Sequence, residues 1–181
     1  IKDEVDLKVL MRGIETGLSG EEPAISQEEA MAVQQAFGQK LQAKREGEMQ
    51  AAAAKNRADG EAFLTENKTK PGVKTTESGL QYKVVTEGSG ERPAATDTVK
   101  VHYTGTLLDG TKFDSSVDRG GPAQFALNQV IPGWTEALQL MNAGSKWRLY
   151  VPSELAYGAQ GVGSIPPHSV LVFDVELLEI L

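Results

Sequence analysis

The sequence predicts an α+β protein, because the spacing of its apolar residues changes from helical to alternating near Gly79. Before that point apolar side chains recur every three or four residues, or give way to an alanine-rich charged stretch, as they do in helices. After it apolar and polar residues alternate, as in strands that bury one face, and one short helical pattern interrupts them. Helices grouped ahead of a strand-rich segment are typical of the α+β class.

Two helices are predicted at the start of the chain. Asp3 can cap the first, and Gly17 and Gly20 end it. Ser26 and Glu29 have the spacing of a capping box, which predicts the start of a second helix. The apolar stripe of the first helix consists of Leu7, Leu10, Met11, Ile14 and Leu18. That of the second consists of Ala30, Val33, Phe37 and Leu41.

The second helix is predicted to continue beyond its apolar stripe. Residues 42–62 are rich in alanine and charge, a composition that favours helix without a core, although Gly47 and Gly60 each cost about 1 kcal/mol relative to Ala. A helix from Gln27 to Asn67 would be about 60 Å long at 1.5 Å per residue, and we expect a solvated rod. Pro71 and the residues beside it should stop it.

Alternating patterns predict the strands and one hairpin. Asp109-Gly110 favours a type I′ turn, in which both central residues need positive φ. A short helix is expected from Trp134 to Met141, before Gly144. The expected strands cover Leu80–Val85, Val99–Thr104, Lys146–Val151 and Val170–Leu178.

Composition excludes several functions. The net charge of −7 disfavours nucleic acid as a partner, and no stretch of the 181 residues approaches a membrane span. Without cysteine, two isolated histidines, His102 and His168, do not form a metal site. The first residue is Ile1 rather than Met, so we expect residues upstream of it. We expect no cofactor.

The segment from Val99 to Tyr157 has the residues of a dry ligand pocket. Aromatic and apolar residues recur along it, and one acid, Asp114, stands beside Phe113. No base, nucleophile or metal set accompanies that acid. Such a site can strip a substrate of water and hold it in an unusual conformation, but it is poorly equipped to break a bond.

Several separated motifs carry a family resemblance from about Gly79 to Leu181. They are Val99–Gly105, Leu107–Gly110, Phe113-Asp114, Val130–Trp134, Leu155–Gly158, Ile165–Pro167 and Val172–Leu178. In this order they closely resemble the FKBP family of peptidyl-prolyl cis-trans isomerases. Residues 1–70 resemble, through their helical patterning, the dimerising region of the two-domain bacterial members, the macrophage infectivity potentiator (Mip) type and its FkpA and FKBP22 relatives.

The resemblance implies an architecture. An antiparallel sheet should curl around the helix that starts at Trp134, with the pocket between them. We expect a helical dimerisation segment at residues 1–25, a connecting helix at 26–70 and the isomerase domain at 71–181.

The resemblance also implies roles for pocket residues. Trp134 forms the floor under the proline ring, Asp114 lies near the twisted carbonyl, and Arg119 orients Asp114 or Tyr103. The Ile131 N–H and the Tyr157 hydroxyl bond ligand carbonyls. The walls are Tyr103, Phe113, Phe125, Val130, Ile131 and Phe173, with Ile165 closing the flap. Asp114, Tyr157, Phe113 and Trp134 are the expected catalytic residues. From the residues alone, core is the favoured place for Val101, Tyr103, Phe125 and Phe173, while Trp134 can be an anchor at the helix start and Asp114 a turn cap.

Three functions remain open at this stage. The first is a prolyl isomerase with chaperone-like activity on unfolded, proline-containing chains, inhibited by FK506 or rapamycin. The second is a module that binds proline segments or macrolides without turnover, and the third is a dimeric scaffold carried by the N-terminal helices. The resemblance favours a homodimer in the periplasm or at the outer surface of a Gram-negative bacterium, with the cytoplasm as the alternative.

Overall fold

Two helices precede the sheet, and local hydrogen bonds explain where each begins. The computed structural model describes residues 6–20 and 25–181. Helix α1 spans Leu7–Ser19 and is capped by Asp6, whose carboxylate accepts from Lys8 N at 2.8 Å and Val9 N at 3.4 Å. Asp3, the predicted cap, lies outside the described residues. The helix runs through Gly17, contrary to prediction, and ends before Gly20, which adopts a left-handed φ of 73°.

Helix α2 spans Gln27–Asn67, the predicted range. Its start confirms the capping box: Ser26 N donates to Glu29 Oε2 at 2.8 Å, and Glu29 N donates to Ser26 Oγ at 3.2 Å. The chain divides within this helix into two compact units, residues 1–47 and 48–181. None of the helices in the described ranges is long and apolar enough to cross a membrane.

Seven strands of the described chain form one antiparallel sheet. Six of them follow the order β1-β2-β6-β7-β3-β4, and β5 pairs with the first half of β3. A short helix, α3, spans Pro132–Leu140 between β5 and β6. The strands are β1 Val73–Thr75, β2 Gln81–Thr86, β3 Thr98–Thr106, β4 Lys112–Ser115, β5 Ala123–Ala126, β6 Lys146–Val151 and β7 Leu171–Ile180.

The hairpin between β3 and β4 is present, but the predicted turn type is wrong. Gly110 has a φ of 86°, whereas Asp109 does not have the positive φ that a type I′ turn requires. Leu107 N donates to Thr111 O at 2.9 Å, so the loop holds three residues rather than two. Three-residue hairpin loops use one left-handed residue, and glycine supplies it here.

The core lies between the sheet and α3. Alternate residues of β3, namely Val99, Val101 and Tyr103, are buried, as the alternating pattern predicts. From α3, Trp134, Ala137 and Leu138 are buried. They join side chains of β6 and β7 in one cluster that includes Leu149, Val151, Leu171, Phe173, Val175 and Leu177. The fold is therefore of the predicted α+β class, and it has the antiparallel sheet with one packed helix that the family resemblance implies.

Candidate active site

A cavity of about 630 Å³ opens between α3, the sheet and the loop of residues 158–169, called the flap below. Most of the predicted site residues line it: Tyr103, Phe113, Asp114, Phe125, Val130, Ile131, Trp134, Tyr157, Ile165 and Phe173. Arg119 is outside the lining and contacts it through Asp114 and Tyr103. Residues separated by some 70 positions in the sequence therefore meet at one site.

Aromatic rings meet edge to face around Trp134, which is only 4% exposed. Its ring centroid lies 5.1 Å from that of Tyr103, 5.6 Å from Phe125 and 5.2 Å from Phe173, with interplanar angles of 79° to 89°. This geometry suits the quadrupoles of the rings. The four side chains fix one another, so the wall they form is rigid as well as apolar.

Two glycines let these rings and α3 approach closely. Gly105 of β3 pairs with Phe173 of β7, and a Cβ on Gly105 would lie 2.6 Å from Phe113 Cζ and 2.8 Å from Phe173 Cε1. A Cβ on Gly133 would lie 2.5 Å from Val151 Cγ1. Neither position has room for a methyl group. Glycine is therefore required at 105 by the packing of the aromatic rings and at 133 by the packing of α3 against β6.

A polar network stands at the edge of the apolar cavity. Tyr103 Oη donates to Asp114 Oδ2, and Arg119 Nη1 donates to Asp114 Oδ1. Arg119 Nη2 donates to Tyr103 Oη at 2.7 Å, and Ser115 N donates to Asp114 Oδ1 at 2.8 Å. The carboxylate is thus held by three different donors, and its orientation is fixed before any ligand arrives.

The network also fixes protonation states. Burial raises the pKa of Asp114, but the hydrogen bonds from Tyr103 and Arg119 and the arginine charge outweigh it, so the pKa lies below its ordinary value. Burial, followed by the hydrogen bond to Asp114, raises the pKa of Tyr103. Asp114 is therefore an anion and Tyr103 a neutral donor at neutral pH.

Two hydrogen-bond donors at the cavity remain available to a ligand. Ile131 lines the cavity, and no described residue accepts a hydrogen bond from its backbone N–H. Tyr157 also lines it and is 39% exposed, with no hydrogen bond from its hydroxyl to any described residue. These are the groups expected to bind ligand carbonyls.

Four further lining residues were missed from the sequence: Gln129, Val162, Gly163 and Ser164. Three of them belong to the flap, where Val162 N donates to Ile165 O at 3.0 Å and Ile165 N donates to Val162 O at 2.8 Å. This tight bridge turns residues 162–164 toward the cavity. The glycines at 161 and 163, both with positive φ, were the available signal for such a turn.

The lining is suited to binding rather than to bond cleavage. The described lining residues include no histidine, lysine or cysteine, and Asp114, already engaged by three donors, is its single ionised group. Among the described residues, no three His, Cys, Asp or Glu side chains are grouped so that they could hold a metal ion. The arrangement can desolvate an apolar ligand and donate hydrogen bonds to its carbonyls.

Comparison with known proteins places this fold and cavity in a family. The family model described as "FKBP-type peptidyl-prolyl cis-trans isomerase" matches residues 89–178, and "Domain amino terminal to FKBP-type peptidyl-prolyl isomerase" matches residues 1–84. The crystal structure of FkpA from Escherichia coli superposes with a TM-score of 0.82 at 43% identity, covering 97% of this chain and 82% of that one.

Named relatives agree with the match. FkpA of Aeromonas hydrophila is 55% identical over 98% of this chain and 66% of its own length. The 22 kDa FKBP-type isomerase of E. coli is 53% identical over 96% of this chain and 83% of its own length. "Outer membrane protein MIP" of Legionella longbeachae is 47% identical over 98% of this chain and 76% of its own length. The chain thus spans about two thirds of the length of the FkpA relative.

The chain belongs to the FKBP family of peptidyl-prolyl cis-trans isomerases, with the amino-terminal domain of its two-domain members. The isomerase prediction from the sequence is thereby confirmed.

Proposed function

We propose that the aromatic cavity is the active site, and that it accelerates rotation about X-Pro bonds by binding the twisted amide. Amide resonance opposes this rotation with a barrier of about 18–20 kcal/mol. Twisting decouples the carbonyl from the nitrogen and makes it less polar, so an apolar, water-poor cavity favours the twisted form over either planar one. Stabilisation of that state alone raises the rate, and no covalent intermediate is needed.

The lining supports specific roles for its members. The proline ring stacks on Trp134, within the wall formed by Tyr103, Phe125 and Phe173. Asp114 lies near the twisted carbonyl of the X-Pro bond. Its fixed carboxylate interacts with the carbonyl carbon, the positive end of that group's dipole. The Ile131 N–H and the Tyr157 hydroxyl donate to the flanking carbonyls of the peptide and hold its backbone while the X-Pro bond turns. The observation that carries the proposal is an apolar cavity with one ionised group at its edge. That group, Asp114, already accepts hydrogen bonds from Tyr103, Arg119 and Ser115 N before a ligand binds.

Substitution at the cavity edge tests these roles. Asp114→Ala and Tyr157→Phe should each lower kcat/KM for a short X-Pro peptide, by roughly tenfold if each supplies one strong polar interaction. Asp118→Ala is the matched control, because Asp118 pairs with Lys112 on the surface and does not line the cavity. Activity unchanged in both cavity variants would refute the assigned roles.

We further propose that FK506 and rapamycin bind this cavity and inhibit competitively. Both present a proline-like ring beside a dicarbonyl, which matches the ring site over Trp134 and the donors at Ile131 and Tyr157. The apolar residues Phe113 and Ile131 also favour peptides with an apolar residue before proline. Natural clients on this proposal are unfolded or partly folded chains with accessible X-Pro bonds, to which the protein gives chaperone-like assistance.

A homodimer through the N-terminal helices is the proposed assembly. Apolar side chains of α1 are exposed, from 48% for Ile14 to 85% for Leu18, and Val33 and Phe37 of α2 are exposed as well. Helix α1 and the first part of α2 enclose too little surface to bury such faces alone, whereas a second copy would bury both sets by two-fold symmetry. On this proposal residues 1–25 serve dimerisation, residues 26–70 form the connection and residues 71–181 form the isomerase domain.

The proposed compartment is the periplasm or the outer-membrane surface of a Gram-negative bacterium. The name of the Legionella relative, "Outer membrane protein MIP", supports this assignment. The similarity to the 22 kDa E. coli isomerase is the reason to retain the cytoplasm as the alternative. Fractionation of the native host, with a periplasmic and a cytoplasmic marker enzyme as controls, separates the two.

A further inference from the structure

The second half of α2 packs on the sheet and the flap through one face whose residues, apart from Phe63, are small or polar. Asn56, Gly60, Phe63 and Asn67 are spaced by four, three and four residues, which places them on one side of a helix. Near the end of α2, Phe63 contacts Tyr150 with ring centroids 5.7 Å apart, and Asn67 Nδ2 donates to Gln81 Oε1 at 2.9 Å. These two residues attach the helix to β2 and β6.

The N-terminal part of the same face, at Asn56, contacts the flap instead of the sheet. Asn56 Nδ2 donates to Pro167 O at 2.9 Å and approaches Ser169 Oγ at 3.5 Å. Ser169 Oγ in turn donates to Pro166 O at 2.8 Å. The Asn56 amide therefore bonds the C-terminal end of the flap directly, and the neighbouring Arg57 also contacts it, with Nη2 3.2 Å from His168 Nε2.

Gly60 brings the helix unusually close to the chain at this point. It is buried, and a Cβ in its place would lie 2.8 Å from Val170 Cγ2. Val170 is β-branched and buried, so its side chain has no room to turn away. A glycine that costs helix stability is thus explained by close packing at the residue where the flap enters β7.

The flap connects the residues that α2 contacts to the wall of the cavity. Its ends are joined by His168 N, which donates to Gly158 O at 2.9 Å. Ile165, which is 7% exposed and lines the cavity, is followed directly by Pro166 and Pro167. Proline fixes φ near −65°, so the two-residue link between Ile165 and the carbonyl bound by Asn56 is stiff. A shift of Pro167 therefore moves Ile165.

We propose that Asn56 and Gly60 of α2 are positioning residues for the active site: they hold the base of the flap and thereby set the position of the Ile165 wall of the cavity. The inference rests on the proposed function, because it takes the cavity as the place where the peptide binds. The functional unit then extends beyond the sheet to α2. The predicted solvated rod is wrong for residues 56–67, which pack on the flap and the sheet.

The first test replaces Asn56 with its isosteric acid. In Asn56→Asp a carboxylate oxygen replaces the donor that faces Pro167 O, so attraction becomes repulsion at unchanged volume. We expect KM for a short X-Pro peptide to rise about three- to tenfold, the range one hydrogen bond supplies, with kcat changed by less than about twofold. The backbone amide NMR signals of Val162 and Ile165 should shift in the same variant.

Asn67→Ala is the matched control. It also removes a side-chain hydrogen bond that ties α2 to the isomerase unit, but at the sheet and away from the flap. We expect it to lower thermal stability while leaving KM and the Ile165 signal unchanged. A loss of activity caused only by destabilisation would affect both variants alike.

A second pair of substitutions tests Gly60 independently. Gly60→Ala should raise KM, because the added methyl pushes on Val170. Val170→Ala in the same chain removes the opposing methyl groups and should restore KM, which a double-mutant cycle measures as coupling between the two sites. Additive effects of the two substitutions would contradict the proposed close contact.

The outcomes separate this inference from the proposed function. If Asn56→Asp folds and leaves both KM and the Val162 and Ile165 signals unchanged, or if Asn67→Ala raises KM equally, the positioning role is wrong and the cavity assignment stands. If Asp114→Ala and Tyr157→Phe leave activity intact, the cavity assignment is wrong, whereas the NMR shift in Asn56→Asp still reports whether α2 holds the flap.

Discussion

At the scale of single residues, Asp114 is the best-defined group of the site. Tyr103, Arg119 and the Ser115 amide all donate to it, so its charge and direction are set without a ligand. Preorganised charge at a reacting group is effective because nothing has to reorient during the reaction. Arg119 supplies part of this order from outside the cavity, which is the positioning role the family resemblance assigns to it.

Removing the arginine should weaken catalysis without removing a ligand contact. In Arg119→Met, Asp114 and Tyr103 each lose a hydrogen bond, and we expect kcat/KM to fall about three- to tenfold. Lys112→Met is the control, since Lys112 pairs with Asp118 on the surface, where an ion pair contributes little. Steady-state kinetics on a short X-Pro peptide makes the comparison, and equal kinetics in the two variants would contradict the positioning role.

The protonation states predict a flat pH profile. The pKa of Asp114 is lowered and that of Tyr103 is raised, and neither histidine lines the cavity. Between about pH 5.5 and 8.5 the network therefore keeps one charge state, and kcat/KM for an uncharged peptide should be constant. An ionisation step within that window would show that another group takes part.

The same shifts fix the sign of the stability change at the extremes. Because the folded pKa of Asp114 is lowered, its contribution to stability is present above its ordinary pKa and is lost as pH falls through the folded value. Because the folded pKa of Tyr103 is raised, its contribution is present below its ordinary pKa and is lost as pH rises through the folded value.

At the scale of elements, glycines decide how closely strands and helices approach. Gly105 in β3 leaves room for the rings of Phe113 and Phe173, which meet at 88° with centroids 5.6 Å apart. Its place on the central strand thus controls the shape of a wall built by β4 and β7.

Adding one methyl group there should deform the cavity. Gly105→Ala forces the two phenylalanine rings apart, and we expect a loss of about 1–3 kcal/mol in the free energy of unfolding together with weaker peptide binding. Gly121→Ala is the control, because a Cβ at that position meets no atom within 4 Å. Thermal unfolding and KM, measured on both variants, check this. A fully stable and active Gly105→Ala chain would contradict the packing argument.

Local signals in the sequence predicted the helices and the four longest strands, β2, β3, β6 and β7, but not the short strands β1 and β5. Long-range contacts explain what they missed. The capping box at Ser26 and the alternation in β3 depend on neighbouring residues alone, so they could be predicted from the sequence. The loop at Asp109 was misread because its length is set by the pairing of Leu107 with Thr111, which dipeptide chemistry does not reveal. The packing face of α2 was missed because Asn56 and Gly60 meet the chain more than 100 residues later and interrupt no apolar stripe.

The same distinction applies to the candidate site. Aromatic residues and Asp114 were identified through their motifs, since their side chains carry the resemblance. Gln129, Val162, Gly163 and Ser164 reach the cavity because the backbone of their loops turns there, and side-chain chemistry gives no sign of that. Sequence therefore predicts the chemistry of the site more completely than its outline.

At the scale of the whole molecule, the exposed face of α1 predicts self-association. The substitution Ile14→Glu places a charge in that face. Dimerisation would then bury this carboxylate without an opposite charge to pair with, once in each of the two chains. We expect the wild-type chain to sediment as a dimer at tens of micromolar, Ile14→Glu as a monomer, and Glu15→Gln as a dimer. A monomeric wild-type chain in sedimentation equilibrium would contradict the dimer proposal. Peptide isomerisation should be equal in all three.

The central claim is that one apolar cavity, floored by Trp134 and edged by Asp114, performs the isomerisation. NMR exchange spectroscopy on an X-Pro peptide tests it most directly, with cis-trans exchange measured during titration of the protein with FK506. The account predicts that the chain accelerates exchange and that FK506 abolishes the acceleration at one equivalent per chain, with amide shifts centred on Ile131, Trp134 and Tyr157. Acceleration that persists at saturating FK506, or shifts confined to the N-terminal helices, would contradict it.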